Sequence, residues 1–315
     1  MTVADNQPPK GIKVVRMAKK KRPTPVPPEP IVPLFDSHTH LWSTVLKDQR
    51  REDADAREFG EGDHRRLVGE FMDRAYAVGV RGVCTVGDGI EETEKALQAA
   101  EFHDRVWAAC AVHPTKAQTV TEKVRERLRE MAFHPRCVAI GETGLDAYWI
   151  GKDAGDGEET PSIEVQEEAL RFHIDLACES GKALMIHNRE ADADLLRVLA
   201  DAPQPENVIL HCFSSPLEVA KEALDRGYVL SFAGNVTFKR NEELREAARI
   251  APPEQILVET DAPYMTPEPF RGARNEPAFV GYTAACVAKQ RGVKPQELGE
   301  LVTANAARLY GIELR

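Results

Sequence analysis

Short apolar runs alternate with amphipathic stretches along most of the chain. The apolar runs have the length of buried strands and lie at 31–37, 82–87, 106–112, 138–142, 183–187, 207–211, 228–232 and 256–260. The stretches with helical periodicity lie near 66–79, 91–102, 121–132, 162–181, 190–201, 216–226, 241–250, 277–291 and 295–304. Near-continuous apolar strands separated by such helices indicate a parallel sheet covered by helices. The pattern therefore predicts an α/β fold, a (β/α)8 TIM barrel with helices outside a parallel β-barrel.

Three stretches depart from this pattern. Residues 1–30 are rich in proline and contain the basic run Lys19–Arg22, so we expect a disordered leader there. The barrel domain then spans 31–315. Residues 43–65 and 147–161 are polar and acidic, and we interpret both as long loops that overhang one end of the barrel. Such loops set specificity on this fold.

The composition narrows the class of protein. Of 315 residues, 42% are hydrophobic and 29% are charged, which is typical of a soluble globular protein. The sequence contains neither a run with the length of a membrane-spanning helix nor the apolar core of a secretory signal. The six cysteines form no Cys-x-x-Cys pair, which favours reduced thiols and a cytoplasmic location. The net charge of −10 argues against broad electrostatic binding of duplex nucleic acid.

Residues with chemical potential gather where the predicted strands end. In a TIM barrel, catalytic groups lie at the carboxyl ends of the strands. Those ends carry five histidines and two carboxylates: His38, His40, His113, His187, His211, Glu142 and Asp261. Imidazole and carboxylate groups together bind divalent cations. A hydrogen-bonded structural role is the alternative for each histidine alone, but the set as a whole favours metal binding.

Two of these residues have distinct expected roles. Glu142 leaves the fourth strand between the His38/His40 side and the His187/His211 side, so it is the natural carboxylate to bridge two cations. Asp261 completes the shell of the first cation. It also stands close to the water that the cation activates, and it can accept that water's proton.

Several longer motifs carry a family resemblance. In chain order they are "FDSHTHL", "VAIGETGLD", "GKALMIHNREADADLL", "VILHCFSS", "LSFAGNVTFKR" and "ILVETDAPYMTPEPFRGARNEP", followed by "TANAARLYG" near the end. Together they resemble the successive motifs of the TatD family of metal-dependent deoxyribonucleases. The resemblance implies a TIM-barrel hydrolase of the amidohydrolase type. It also implies two divalent ions, with Mg²⁺ as the first choice and Mn²⁺, Zn²⁺ or Fe²⁺ as alternatives.

The resemblance assigns ligands residue by residue. It implies that His38, His40, Glu142 and Asp261 bind the first ion, and that His187 and His211 bind the second ion with Glu142 shared. Glu142 also separates this chain from amidohydrolase relatives that use a carbamylated lysine as the bridge, because no lysine stands at that position.

Other motif positions are candidates for binding substrate. They are His113, Arg189, Asn235, Lys239, Tyr264 and Arg271. His113 and Asn235 contact either the scissile phosphate or the barrel rim. Arg189 and Lys239 suit phosphate oxygens, with surface ion pairs as the alternative. Tyr264 suits stacking on a nucleobase, and Arg271 and Arg274 either neutralise substrate or hold the last loop. Asp146 is expected to fix a loop or support a ligand.

The predicted function is metal-dependent hydrolysis of DNA phosphodiester bonds, as a 3′→5′ exonuclease on single-stranded DNA. Two ions hold the phosphate, an activated water attacks in line, and Asp261 takes the proton. One alternative is the same site acting on an ester or amide, such as a D-aminoacyl-tRNA or a small lactone. A protein whose metal centre is only structural is the minor alternative. Metal identity, the choice between DNA and RNA, exo- or endonucleolytic mode and oligomeric state stay open, and no membrane partner is expected.

Overall fold

The structure is a computed structural model that describes residues 24–52, 61–155 and 157–314. Eight strands carry the fold: β1 (Leu34–Thr39), β2 (Val80–Thr85), β3 (Val106–Ala109), β4 (Cys137–Asp146), β5 (Ala183–Arg189), β6 (Val208–Leu210), β7 (Val229–Phe232) and β8 (Ile256–Val258). They pair in chain order, and every pair is parallel. The prediction of a parallel α/β barrel is confirmed.

Helices surround the strands. They are α1 (Leu41–Glu52), α2 (Glu61–Ala77), α3 (Ile90–Phe102), α4 (Glu122–Ala132), α5 (Ile163–Ser180), α6 (Asp192–Asp201), α7 (Leu217–Asp225), α8 (Glu242–Ile250), α9 (Val280–Arg291) and α10 (Pro295–Tyr310). Each of the last two ends at a glycine in the left-handed region, Gly292 and Gly311, where a side chain would be strained.

The two-residue period of the strands separates two apolar layers. Along β5, Leu184 and Ile186 pack outward against the helices, whereas Met185 between them belongs to the cluster inside the barrel. Along β6, Ile209 points inward in the same way. The interior cluster at the amino end of the barrel contains Phe35, whose ring packs against other buried aromatic rings. Along these stretches of β5 and β6, alternation sends every second residue into the barrel.

The chain after β8 closes the barrel against β1. The Asp261 N–H donates to the His38 carbonyl at 3.0 Å, and the His40 N–H donates to the Ala262 carbonyl at 2.7 Å. The buried Asp36 carboxylate accepts hydrogen bonds from both the N–H and the hydroxyl of Thr260, at 2.8 and 2.6 Å. These bonds hold the last strand end beside the first.

The predicted loop at 43–65 is wrong in its first and last parts, because α1 runs from Leu41 to Glu52 and α2 already begins at Glu61. Leu41 and Val45 are one helical turn apart and both are buried. Val45 packs against Leu67 and Phe71 of α2. The apolar face of α1 is too short to stand out in a polar stretch. Residues 53–60 lie outside the described residues.

The predicted leader is described only in part. Residues 1–23 lie outside the described residues. The segment 24–30 is extended and runs over α9, where the Tyr282 hydroxyl donates to the Val26 carbonyl at 2.9 Å. Pro28 is buried so closely against Gly281 that a Cβ on that glycine would lie 2.9 Å from the proline ring. The predicted loop at 147–161 is largely irregular, with single bridges between Ile150 and Thr160 and between Asp153 and Glu159.

Candidate metal centre

One oxygen of Glu142 faces three imidazoles. Glu142 is buried at the carboxyl end of β4, with an exposed fraction of 3%. Its Oε1 lies 2.9 Å from His187 Nδ1, 2.9 Å from His211 Nε2 and 3.3 Å from His113 Nε2. Three strand ends, those of β3, β5 and β6, therefore meet at a single carboxylate oxygen.

The other oxygen of Glu142 faces the first strand and the chain after β8. Its Oε2 lies 3.4 Å from His38 Nε2 and 3.5 Å from His40 Nε2. Asp261 Oδ1 lies 3.8 and 3.5 Å from the same two nitrogens. His38 is fully buried, and His40 and Asp261 are nearly so. The structure thus brings together all six residues that the sequence analysis assigned as ligands.

These donors have the spacing that a divalent cation needs. A cation about 2.1 Å from each of four tetrahedral ligands separates those ligands by about 3.4 Å. The four separations among His38, His40, Glu142 Oε2 and Asp261 quoted above cluster around that value. Glu142 Oε2 is buried without a hydrogen-bond partner in the described part of the chain. A buried carboxylate oxygen is costly in that condition, and a cation would satisfy it.

Three of the five imidazoles have a carboxylate beside the ring nitrogen that faces away from Glu142. His40 Nδ1 lies 3.2 Å from Asp88, His187 Nε2 lies 3.0 Å from Asp146, and His211 Nδ1 lies 3.2 Å from Glu259. When a carboxylate accepts the proton of one ring nitrogen, the other nitrogen keeps its lone pair. His211 and His187 therefore present defined donor atoms to the centre, Nε2 and Nδ1 respectively. The contact of His40 Nδ1 with Asp88 is an ion pair without hydrogen-bond geometry.

The remaining two rings are held by neutral partners. His38 Nδ1 lies 3.0 Å from the Met185 sulfur, and His113 Nδ1 lies 2.7 Å from the Thr115 hydroxyl. Both rings also turn Nε2 towards Glu142. Five imidazoles from four strand ends are thus oriented before any ligand arrives, which is the preorganisation that a metal site requires.

The carboxylates of the centre stay ionised. Burial acts to raise the pKa of Glu142, but His211, His113 and His187 outweigh it and hold that pKa well below its ordinary value. Burial also acts to raise the pKa of Asp261, and His40 and His38 reverse the effect, so its pKa is lowered. Both groups are therefore negative at neutral pH.

The imidazoles differ among themselves. Burial opposes charge on His40, but Asp88, Asp261 and Glu142 raise its pKa to about 9. Burial likewise opposes charge on His211, and Glu142 and Glu259 raise its pKa well above the ordinary value. In contrast, burial and His211 lower the pKa of His38. Positive charge is favoured at the centre, and a cation would compete with protons for it.

Two supporting residues escaped the sequence analysis as functional positions. Asp88 lies three residues after the end of β2, beyond the inward residues Cys84 and Val86, and its place just past a strand end is the signal that could have pointed to it. Glu259 lies near the end of the predicted strand at 256–260, and no separate feature of the sequence assigns it a role. It is fully buried, and it accepts hydrogen bonds from the Cys212 N–H at 2.8 Å and from the Ser231 hydroxyl.

Tyr264 and Arg189 lie on opposite sides of the centre. The Tyr264 ring meets the His40 ring edge-on at a centroid distance of 5.8 Å and is 42% exposed. Arg189 is exposed at the end of β5, and its guanidinium lies over the Tyr148 ring at 3.8 Å. Both positions are compatible with contact to a substrate at the barrel mouth.

The other predicted substrate residues lie on the loops after β7 and β8. Asn235 is buried, and its amide donates to the Phe213 carbonyl at 3.3 Å while its Oδ1 has no partner in the described ranges. The Arg271 guanidinium lies 4.2 Å over the Phe238 ring, and Lys239 is exposed. Across the described residues, neither Lys239 nor Arg271 contacts the six-residue cluster.

Comparison with known proteins identifies the family. The family model described as TatD related DNase matches residues 35–311. The chain belongs to the TatD related DNase family. A TatD protein of Mycobacterium tuberculosis named as an uncharacterized metal-dependent hydrolase is 44% identical over 279 residues, covering 89% of this chain and 98% of that protein. A Cronobacter sakazakii protein named 3′-5′ ssDNA/RNA exonuclease TatD is 35% identical, covering 79% of this chain and 92% of its own.

Solved TatD structures share the fold. The crystal structure of the TatD homologue YjjV of Escherichia coli superimposes with a TM-score of 0.74 at 24% identity, covering 89% of this chain and 98% of that one. A TatD family hydrolase of Entamoeba histolytica gives a TM-score of 0.72 at 18% identity, covering 90% and 99%. The resemblance drawn from the motifs and the prediction of a metal-dependent hydrolase are both confirmed at the level of the TatD family. Within the described ranges, the helices are too short or too polar to cross a membrane.

Proposed function

We propose that the chain is a divalent-metal-dependent nuclease that hydrolyses phosphodiester bonds of single-stranded DNA from the 3′ end. The observation that carries this proposal is the position of Glu142. One of its oxygens faces His113, His187 and His211, and the other faces His38 and His40 beside Asp261. A carboxylate shared in this way suits two cations a few ångströms apart, which is the arrangement that phosphodiester cleavage uses.

Two sets of residues would hold the cations. His38, His40, Asp261 and Glu142 would hold the first, and His187, His211 and Glu142 would hold the second. When bound, divalent ions supply Lewis acidity that activates water and neutralises charge on the phosphoryl oxygens. The mixed imidazole and carboxylate donors accept Mg²⁺, which is our first choice, and equally suit Mn²⁺, Zn²⁺ or Fe²⁺.

The protein's own groups handle protons and position the substrate. Asp261 is ionised because its imidazole neighbours hold its pKa down, so a carboxylate oxygen is ready to accept the proton of the attacking water. His113 donates a hydrogen bond to a phosphate oxygen from its Nε2. Asn235 adds a second polar contact at the barrel rim, and its unpartnered Oδ1 supports that role.

The outer residues then guide the strand. Arg189, Lys239 and Arg271 bind phosphates that flank the scissile bond, and their exposure supports this role. Tyr264 stacks on a nucleobase beside the centre, as aromatic residues do in single-strand sites. Their combination restricts the proposed substrate to an unpaired strand.

The decisive experiment is cleavage of a short single-stranded DNA labelled at its 5′ end, with Mg²⁺ or Mn²⁺ supplied. Wild type should produce a ladder of progressively shorter labelled fragments, whereas a 3′-end label should be released at once as a mononucleotide. Asp261→Asn and EDTA should each abolish both signals, because they remove the proton acceptor and the cations. Intact DNA after incubation with folded, metal-loaded wild type would refute the nuclease.

A further inference from the structure

We propose that Trp149 and Arg189 form a separate subsite for single-stranded nucleic acid, next to the metal centre on its His187 side. In this subsite a nucleobase stacks on the Trp149 ring while the Arg189 guanidinium binds the adjoining phosphate. Tyr148 and the loop after β4 hold the two groups in place. The inference deepens the proposed function and rests on it for the identity of the ligand.

The subsite is coupled to the centre through one carboxylate. Asp146 Oδ2 lies 3.0 Å from His187 Nε2, and Asp146 Oδ1 accepts the Trp149 N–H at 2.9 Å. The Ala147 N–H also donates to the Arg189 carbonyl at 2.9 Å, which ties the loop to the end of β5. Trp149 therefore has a fixed relation to an imidazole of the centre.

The Arg189 guanidinium is positioned by stacking on aromatic rings and not by an ion pair. Its guanidinium lies 3.8 Å over the Tyr148 ring and 5.7 Å from the Trp149 ring. The residue is exposed and, across the described ranges, makes no ion pair with a carboxylate. Other surface arginines, such as Arg127 and Arg197, pair with glutamates. A stacked guanidinium with its edge free is the usual arrangement for phosphate recognition.

The loop is preorganised to present the tryptophan. The Lys152 N–H donates to the Trp149 carbonyl at 2.8 Å, and backbone bonds of 3.0 and 2.9 Å join Gly151 and Lys152 to Thr160. The Trp149 ring is only partly buried and meets the Tyr148 ring edge-on at 5.1 Å. Little conformational entropy remains to be lost when a base stacks there.

The chain contains a matched control at the opposite end of the barrel. Tyr76 is 43% exposed, and the guanidinium groups of Arg81 and Arg105 lie 4.3 and 3.9 Å over its ring. The chemistry resembles that of the subsite, but Arg81 stands at the start of β2, away from the carboxyl ends of the strands. Tyr76→Ala therefore measures how the oligonucleotide affinity changes when an exposed aromatic ring stacked with arginines is removed far from the metal centre.

The test is the affinity of the full chain for fluorescein-labelled, phosphorothioate-linked octathymidylate, read by anisotropy with Mg²⁺ across a salt series. Trp149→Ala should raise Kd about tenfold, because one stacked base contributes a factor of that order. It should leave the slope of log Kd against log salt unchanged. Arg189→Gln should reduce that slope by about 0.7, the value for one phosphate on a single strand. Trp149→Phe should recover most of the affinity, and Tyr76→Ala should match wild type.

Octauridylate distinguishes the source of the strand. If the substitutions raise the Kd equally for both oligonucleotides, the subsite recognises the base face that DNA and RNA share. If they raise the Kd for one oligonucleotide alone, the subsite is specific for that nucleic acid. Trp149→Ala and Arg189→Gln with Kd values within twofold of Tyr76→Ala would overturn the subsite. Hydrolysis of bis(p-nitrophenyl) phosphate by wild type is measured in parallel. If wild type hydrolyses neither this diester nor DNA, the proposed nuclease function fails, while the Kd values still decide the subsite.

Discussion

The two ends of the barrel interior differ in the polarity of their side chains. At the amino end, the Phe35 ring packs between Trp107 and Tyr310, with centroid distances of 5.8 and 5.9 Å. At the carboxyl end, the same space holds imidazoles and carboxylates gathered around Glu142. Burial of the aromatic rings stabilises the fold, whereas burial of charged groups opposes it. The apolar end therefore provides the stability on which the polar end depends.

The largest effect should follow from Glu142→Gln. The substitution preserves shape but removes the negative charge that faces the imidazoles, so metal binding and hydrolysis should both be lost by several orders of magnitude. Calorimetric titration with Mn²⁺ and the DNA cleavage assay measure the two losses. Glu168→Gln is the control, because that carboxylate is 73% exposed and pairs with Arg125 on the surface. Activity within tenfold of wild type would remove Glu142 from the centre of the mechanism.

The amino end should respond in the opposite way. Phe35→Ala should lower the free energy of unfolding by about 3–5 kcal/mol, because it leaves a cavity beside Trp107 and Tyr310. Urea denaturation measures the loss, and cleavage below the new melting temperature should persist. Phe133→Ala, at a position that is 63% exposed, should change stability by no more than about 0.5 kcal/mol. A Phe35→Ala variant that is stable but inactive would show that the two ends are not separable.

A smaller effect should distinguish the carboxylates behind the imidazoles. Glu259→Gln should weaken metal affinity about 10- to 100-fold, because the His211 ring loses the negative charge that holds a proton on Nδ1 and raises the basicity of Nε2. Asp88→Asn should cost less, since the Asp88 side chain is 32% exposed and water can replace it beside His40. Competition with a chelating dye gives both affinities. Equal losses of metal affinity for the two variants would mean that the burial of the carboxylate does not determine how much each contact contributes.

The last effect is confined to acid pH and concerns a residue that supports the polar end from behind. His173 on α5 accepts the Val112 N–H at 3.3 Å and lies 2.9 Å from the Thr143 hydroxyl. Val112 and Thr143 are the chain neighbours of His113 and Glu142. Burial lowers the pKa of His173 from 6.5 to about 4. The unfolded chain therefore takes up this proton first, and stability is full above pH 6.5 and falls as the pH drops towards 4, by up to about 3 kcal/mol.

Comparison of His173→Gln with wild type isolates this contribution. The difference in the free energy of unfolding between the two proteins should narrow as the pH falls from 6.5 to 4, because only wild type then carries a penalised imidazole. A difference that stays constant across this range would assign the acid sensitivity to other groups.

The sequence predicted three parts of the centre for a physical reason that the structure bears out. His187 shares strand parity with Met185, His211 with Ile209, and Asp261 with Leu257, and all three reference residues point into the barrel. Alternation therefore sends His187 and His211 to the same interior, one step nearer the carboxyl end. Asp261 lies two steps beyond Leu257 and past the end of β8, with a positive φ of 53°. Strand register brings the two histidines together, whereas Asp261 also depends on the hydrogen bond from its N–H to the His38 carbonyl.

His38 and Glu142 follow a different rule. Leu34 and Ile140 pack outward, so unbroken alternation would also send His38 and Glu142 outward. The pairing register shifts between Asp36 and Thr39 in β1 and between Ile140 and Thr143 in β4, which turns both residues inward. No local pattern marks these shifts, because they depend on the neighbouring strands. Helix α1 was missed for a similar reason, since its partners lie on α2.

The contact between the last helix and the first strand has a consequence for how the protein is made. The Tyr310 hydroxyl donates to the Ser37 carbonyl at 2.8 Å across 273 residues of chain, and Asp36 binds Thr260 nearby. During synthesis the first strand leaves the ribosome long before either partner exists. The barrel can therefore close only after the chain as far as Tyr310 has been synthesised, and until then β1 keeps one edge unpaired.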